Sequence, residues 1–520
     1  RRPLGTSMEL VDYGLWVRRQ PLLALPGTPI WTTVQTQAND ALRRQIAALE
    51  PANTTPPTIS YDQMRLLTLT AAASGSRGLL FLSSSPLDAN DADTRARALA
   101  LQLLNLELEL VEPWAAGGSY MTTAAAGAEE VTAPVLRSER ARLVLPIWYS
   151  PGAQCVPAQA MAKNLTLVVP GVPESAAAYE LGASGLKPLG HKRVTGGMRV
   201  SLEQFGLAAQ VLLAHDPLVV NSMVQRSAKI SQKAAQLQRD LAVRKLYMVQ
   251  MIGAQMGQRS SASAAAASWI DAARKGLQWC DAQLAARDYA SASTGACRAM
   301  GYLRWAERFF WEDAVRELAS PVTSPAALSF DTLPCHWRLI GRIRAARFGP
   351  NQLVGGDFEN LNLMLQAGWR HLKTPAPGVQ SAADLLSGSA HGGAMGLRLL
   401  ATADDPENPP AMLESPPVRF VSPSVLVGAG QIVCIHGWVN VPNPIAGSVD
   451  GLMIYDSLGG EALADRIGHT TGWKQFALYR AASQSAAVNV TFALSGLGEA
   501  WIDDVQVQVL DASPAGLTTR

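Results

Sequence analysis

Hydrophobic and polar positions change their period four times along this chain. From 7 to 105 apolar runs alternate between helical and extended spacing. Helices are expected over 7–19, 60–74 (with Met64, Leu66, Leu67 and Leu69 as the stripe) and 92–104. Strands are expected over 28–37 (TPIWTTVQTQ) and 78–83 (GLLFLS), the second as a buried strand. Strand–helix alternation predicts parallel βαβ units whose working end lies at the strand carboxyl termini.

From 106 to 217 the pattern turns to short runs of period two, separated by Gly/Pro turns such as PGVP and TGG. LELELV at 106–111 alternates Leu with Glu107 and Glu109 and reads as a strand, with continuation of the preceding helix as the alternative. Further strands are expected at 142–149, 165–169, 178–181, 199–202 and 207–213, forming a small β-sandwich. From 218 to 319 Gly and Pro thin out, and three long helices are predicted at 222–255, 266–286 and 288–319. Trp269, Leu277, Trp279 and Leu284 on the second of these face Tyr289, Cys297, Met300, Leu303, Trp305 and Phe309 on the third, as core. The proline-marked stretch 320–350 reads as a linker, and 351–512 returns to short strands. The fold class expected is therefore multidomain α and β: a partial (β/α) barrel end, a β-sandwich, a helical bundle and a C-terminal β jelly roll.

Composition narrows the function classes. Lys and Arg total 44 against 42 Asp and Glu, which leaves no basic footprint for nucleic acid or for an anionic membrane. No apolar run reaches the ~18 residues of a membrane-spanning helix. The five cysteines have no CxxC or Cys/His metal spacing. Cys280 and Cys297 would pair if their helices run antiparallel, and otherwise stand as buried free thiols. The chain opens without Met and with a helix under way, which reads as a fragment whose export signal, if any, lay upstream. GxSxG, HExxH, a P-loop and a post-strand GxGxxG are all missing from the sequence. Isolated His191 and His336 read as structural.

The C-terminal stretch carries VGGDFENLNLMLQAGW, then HGGAMGLRLLA, GQIVCIHGWVNV, TGWKQFALYR and finally GEAWIDDVQVQVL. In that order these phrases resemble the jelly-roll carbohydrate-binding modules attached to secreted xylanases. The resemblance implies a polysaccharide partner and a structural calcium ion between the first and last strands. Asp357, Glu359 and Asp504 are its candidate ligands, since hard oxygen donors suit that ion. Strict alternation lets only one of Asp503 and Asp504 reach a given face, and Asp504 is preferred. Strand-end carboxylates in water are the alternative. For sugar, Trp438, Tyr455 and His391 are the candidate contacts, with His436 beside them, and Trp369, Trp473 and Trp501 are assigned to the core.

The N-terminal phrases GTPIWTTVQTQ and QMRLLTLTAAASGSRGLLFLSSSPLD resemble the seventh and eighth strands of clan-A-like glycoside hydrolase barrels. Retaining members of that group place a Glu nucleophile at the seventh strand's end. Here that rim holds Gln35, Gln37 and Asp40, and Gln cannot form a glycosyl ester. The expectation is the C-terminal portion of a secreted or cell-envelope glycoside-hydrolase-like protein. By itself it would be inactive, with catalysis depending on carboxylates supplied from the rest of a barrel. A non-catalytic glycan-binding or cell-surface structural protein with a degenerate barrel is the alternative.

Overall fold

A computed structural model of the chain describes residues 1–52, 56–159, 163–256, 263–346, 348–388 and 390–510. It is a mixed α/β structure with curled and sandwich-like antiparallel sheets.

The N-terminal part runs α1 (Leu10–Arg19), β1 (Trp31–Gln35), α2 (Asp40–Leu49), α3 (Tyr61–Ala73), β2 (Gly78–Leu82) and α4 (Ala92–Ala115). Each later helix starts on a side chain that takes up a free backbone N–H. Asn39 caps α2, Asp91 caps α4, and Ser60 with Gln63 forms a capping box on α3. β1 and β2 pair in parallel, from Trp31 opposite Gly78 to Gln35 opposite Leu82. Thr32 and Val34 are buried on the side of α3, while Trp31, Leu80 and Leu82 on the other face are exposed. β2 is thus half-exposed, not the buried strand its apolar run suggests, because this sheet has only two strands among the described residues.

The 106–111 segment is helix, not strand, and the 105/106 boundary falls inside α4. Leu103, Leu104, Glu107, Leu110, Val111 and Trp114 are all buried, which is a 3.6-residue stripe. Glu107 belongs to that stripe because it is paired: Tyr61 donates its hydroxyl at 2.6 Å and Arg65 its Nε at 2.8 Å.

The next ten strands are β3 (Ser119–Ala126), β4 (Val131–Arg137), β5 (Ala141–Val144), β6 (Ile147–Trp148), β7 (Lys163–Val169), β8 (Ala177–Gly182), β9 (Gly185–Pro188), β10 (Gly190–Val194), β11 (Gly197–Gln204) and β12 (Val211–Ala214). They form one curled sheet in the order β10-β11-β7-β3-β4-β5-β12-β8-β9, with β6 on β4. Alternation splits it cleanly. Val135, Val144, Val211 and Leu213 enter the sheet's own core, while Leu136, Leu143 and Leu212 pack with Leu104 and Leu110 of α4.

Four helices follow: α5 (Pro217–Met256), α6 (Ser263–Ala285), α7 (Tyr289–Val315) and α8 (Leu333–Ala345). Trp269 of α6 stacks on Trp305 of α7, with ring centres 5.5 Å apart. Trp279 and Phe309 stay exposed at the same seam. All five cysteines are free thiols, and Cys297 is exposed.

A buried ion network fastens the bundle to the N-terminal part. Lys245 lies 2.8 Å from Asp62 and 2.5 Å from Glu307, and Arg304 lies 2.9 Å from Asp62. Burial alone would raise Asp62, but Lys245 and Arg304 outweigh it and hold the carboxyl at about 2. For Glu307 burial wins over Lys245, and the carboxyl is pushed up to about 7.

The stretch read as a linker is packed interior. Short 3₁₀ turns at Pro321–Thr323, Pro325–Ala327 and Phe330–Thr332 lead into α8. Val322, Ala326, Ala327 and Leu333 are fully buried. Trp311 donates to the Ala327 carbonyl at 2.8 Å, and His336 bridges Ser324 Oγ and the Ala314 carbonyl at 2.9 Å each. Prolines here serve tight buried turns whose carbonyls find side-chain donors, so polarity and turn content misread them as a connector.

The C-terminal part comprises α9 (Leu361–Ala367), β13 (Arg370–Lys373), β14 (Val379–Ser387), β15 (Met395–Ala403), β16 (Val418–Val421), β17 (Val425–Val427), β18 (Ile432–Asn440), β19 (Ala446–Asp456), β20 (Asp465–Ile467), β21 (Lys474–Ala481), β22 (Ala486–Val488) and β23 (Val490–Leu510). β23 belongs to two layers. Its first part pairs with β16 and β19, and its second part with β15 and β18. The change falls at Gly496 and Gly498, both at positive φ. A Cβ on Gly496 would stand 2.5 Å from the Ala446 carbonyl oxygen, so no side chain fits at this corner. One layer is then β14-β15-β23-β18-β21, and the other is β13-β16-β23-β19-β20.

The outer side of the β19 layer is closed by the N-terminal part. Ser7 donates to the Ala464 carbonyl at 2.6 Å, and Arg1 pairs with Asp450 of β19 at 2.8 Å. Gln45 of α2 makes two hydrogen bonds to the backbone of Ala481, at the end of β21 on the edge of the other layer. Asp456 and Arg480 form a 2.8 Å ion pair in which neither side chain is exposed. Arg480 also donates to the carbonyls of Val322 and Leu463.

Candidate functional site

The outer face of the β18 layer is open over β14, β15 and the neighbouring part of β23, while Phe348 stacks on Tyr479 at its β21 edge. Along β23, Ala500 and Ile502 are buried and Trp501 between them is half-buried. In register, Asp384 stands opposite Arg398, Arg398 opposite Trp501, and Trp501 opposite Asn440. Directly opposed residues share a face, so these four make one row across β14, β15, β23 and β18. The Arg398 guanidinium lies 5.8 Å over the Trp501 ring and reaches Asp384 at 3.2 Å. Further along the same face Gln506 opposes His436, and Gln508 opposes Cys434, which opposes Tyr479. His436 and Gln508 are hydrogen-bonded at 3.2 Å.

Between these two groups the loop after β14 folds over Trp438. The His391 ring stacks on Trp438 with centres 4.0 Å apart and planes 12° apart, and meets Trp473 edge-on at 5.7 Å. Asp504 holds the imidazole Nδ1 at 2.7 Å. Asp503 accepts the backbone amides of His391 at 2.7 Å and Gly392 at 3.1 Å. Both acids reach one loop because the strand is bulged between His436 and Trp438 and Asp504 sits at φ 50°. The bulge breaks the strict alternation that made them alternatives.

Glu359 accepts the amides of Ala394 at 2.8 Å and Met395 at 3.1 Å. A Cβ on Gly393 would lie 2.1 Å from Glu359 Oε1, and one on Gly392 would lie 2.9 Å from Asp504 Oδ2. Glu359 and Asp504 therefore close on the glycine pair from two sides. Asp357 is exposed and stands outside this set. Among the described residues, no group of three or more His, Cys, Asp or Glu side chains could hold a metal ion.

Of the residues expected to meet sugar, His391 and Trp438 come together and Tyr455 does not join them. Tyr455 is half-buried on the covered layer, opposite Thr491, near Glu461 and Arg419. Trp369 is core, as expected, against Phe358 and Phe420. Trp473 and Trp501 are not core. The outward turn of Trp501 was readable from the period of two, since apolar neighbours flank it on both sides.

The rim residues act as braces. Gln35 is buried and holds both the amide and the carbonyl of Leu4 at 3.1 Å. Gln37 accepts the Ser84 amide at 2.7 Å and donates to Ser85 Oγ at 3.0 Å. Asp40 is exposed in the first turn of α2 and is paired with Arg43.

No protein-family model matches the sequence, and a search of curated proteins found no relative. Solved structures share partial likeness. The Thermotoga maritima α-fucosidase in complex with fucose is 14% identical over 36% of this chain and 40% of that one, with a TM-score of 0.25. The CBM22-1–CBM22-2 tandem domain of Paenibacillus barcinonensis Xyn10C is 16% identical over 34% and 49%, at 0.22. The Thermotoga neapolitana maltogenic α-amylase AmyB is 13% identical over 40% and 44%, at 0.18. The chain thus spans less than half of each. Among the described residues, no helix is long and apolar enough to cross a membrane.

Proposed function

We propose that this protein is carbohydrate-active, that its C-terminal sandwich is a jelly-roll module, and that the outer face of the β18 layer binds a polysaccharide. The row Asp384, Arg398, Trp501 and Asn440 carries the reading. A glycan offers apolar ring faces and a fringe of hydroxyls, so it needs an aromatic plane beside paired donors and acceptors. That row supplies both, on a stretch of the face where all four side chains stay half-exposed. Trp501 is the stacking plane of this proposal, with the Arg398 guanidinium 5.8 Å from its ring centre as the neighbouring donor.

Affinity electrophoresis of the full chain against soluble xylans, glucans and mannans tests this. Retention by at least one polysaccharide is expected, and Trp501→Ala should weaken it by tenfold or more, on the order of 1–2 kcal/mol. Failure of the whole panel to retard the chain would remove the reading.

Calcium belongs to the same proposal. Glu359 and Asp504, with carbonyl oxygens of the Gly392–Gly393 turn, would hold a hard cation that ties the first strand region to the last. Calcium should then raise the melting temperature over that in chelator, and Glu359→Gln should abolish the difference. No shift in the unaltered chain rules the ion out.

We further read the parallel β1–β2 pair as the end of a (β/α)8-type barrel, as in a glycoside hydrolase. Its exposed Trp31, Leu80 and Leu82 form the face that would look into such a barrel. Catalytic carboxylates in this reading stand elsewhere than Gln35, Gln37 and Asp40. The bracing of Leu4 by Gln35 favours the second reading, a glycan-binding protein with a degenerate barrel.

A further inference from the structure

We infer that His391 is a removable cap on the open face of the β18 layer: its imidazole occupies Trp438, and a glycan long enough to cross the face displaces it. The ligand rests on the carbohydrate reading above; the cap adds a control on that same face.

Burial alternates along β18, so His436, Trp438 and Asn440 point outward while Ile435, Gly437 and Val439 point in. Asn440 joins the row that carries Trp501, and His436 bonds to Gln508. Trp438 therefore stands midway between the two polar groups of the face, and that is where His391 lies. The imidazole is nearly parallel to the indole, with 12° between planes and centres 4.0 Å apart, and Trp473 closes one side at 5.7 Å. Asp504 holds Nδ1 at 2.7 Å. A ring laid on an indole with one polar atom held by a carboxylate stands in the position a sugar ring would take. From Asn440 to Cys434 the face runs ~20 Å, and the cap divides it in two.

The cap is lightly held. The turn beneath it is fixed through backbone amides, those of His391 and Gly392 on Asp503 and those of Ala394 and Met395 on Glu359. Among the described residues the imidazole itself has one hydrogen bond, and the side chains of that pair are 29% and 35% exposed. Rotation of the His391 side chain breaks that bond and its ring contacts but leaves all four amide bonds in place, and water takes up Asp504. Gly392 and Gly393 carry no side chains to obstruct the swing. A ligand spanning both halves of the face gains a second indole. One that covers Trp501 alone gains nothing.

The test uses the full chain, with chelator present so that Asp504 stays with the imidazole. Calorimetry compares three ligands: the polysaccharide of the same panel that retards either chain most, its hexasaccharide and its disaccharide. His391→Ala should tighten the polysaccharide and the hexasaccharide about fivefold, as for a face open in about one molecule in five, and leave the disaccharide within about twofold. In the unaltered chain with isotope-labelled histidine, saturating hexasaccharide should move the His391 NMR signal out of the ring-current field of Trp438. Unchanged or weaker hexasaccharide binding by the variant, an equal gain for the disaccharide, or a His391 signal that keeps its place at saturation overturns the cap and leaves the face as a binding surface. Failure of every polysaccharide to retard the unaltered chain and the variant alike removes the carbohydrate reading, and the cap with it.

Discussion

Among the described residues, two sheets leave part of a face uncovered, and the two faces are chemical opposites. The β18 layer of the sandwich shows Asp384, Arg398, Trp501, Asn440 and Gln506, polar groups around one indole. The β1–β2 pair shows Trp31 and two leucines, with Trp31 62% and Leu80 52% exposed. A mixed polar and aromatic face is stable in water and ready for a ligand that is itself both. A bare apolar face on a parallel pair is unusual, because parallel sheets are ordinarily covered on both sides. The first face is compatible with water as it stands, and the second is of the kind that proteins ordinarily cover.

The contrast can be attacked first in the interior, where Asp456 of β19 and Arg480 of β21 pin the two layers together. Asp456→Ala leaves Arg480 charged and fully buried, and should lower stability in urea by about 3–5 kcal/mol. The same cut on the open side, Asp384→Ala, should cost less than ~1 kcal/mol. Equal losses would mean that the open face is packed as tightly as the interior between the layers.

A smaller effect is expected from pH at the other seam. Glu307 is raised from its ordinary range to about 7, so the folded chain holds its proton more tightly than the unfolded one. Stability from this group is therefore present at low pH and is lost as pH rises from about 4.5 through 7. Asp62, held at about 2, works the other way; its contribution stands above 3.8 and is lost as pH falls toward 2. Urea midpoints from pH 4 to 8 should fall on the alkaline side, and Glu307→Gln should flatten that slope. A slope unchanged by the variant would take Glu307 out of the account.

The smallest change is expected at the bare apolar face. Leu80→Ser should alter stability by no more than about 0.5 kcal/mol while reducing binding of an apolar dye. A loss of ~2 kcal/mol or more, typical of a buried leucine, would show that the face is covered after all.

Much of this arrangement was legible from spacing. The long helices, the parallel pair and the core position of Trp369 follow from period and neighbours alone. What escaped depended on partners distant in sequence. Glu107 could be helical and buried only because Tyr61 and Arg65 wait for it. The segment from Ser320 was polar and turn-rich, yet its carbonyls are met by Trp311 and Arg480. The open face was half-legible: Trp501 lies between two buried residues, but nothing in its own stretch says that β19 is the side the N-terminal part covers. The bulge at Asp504 set aside an alternation rule that is sound for regular strands.

The 21-residue strand β23 has a kinetic meaning as well. Among the described residues it is the only strand that pairs with both layers, so neither layer can be finished before it arrives. On a ribosome, β16 and β19 must wait with open edges for residues 490–497, and β15 and β18 for residues 498–510. Closure then joins partners as far apart in sequence as Leu397 and Ile502. Long-range pairing of this kind is slow and prone to side reactions between chains. Refolding from denaturant should therefore lose material by association at high protein concentration, with the last step of sandwich assembly setting the pace.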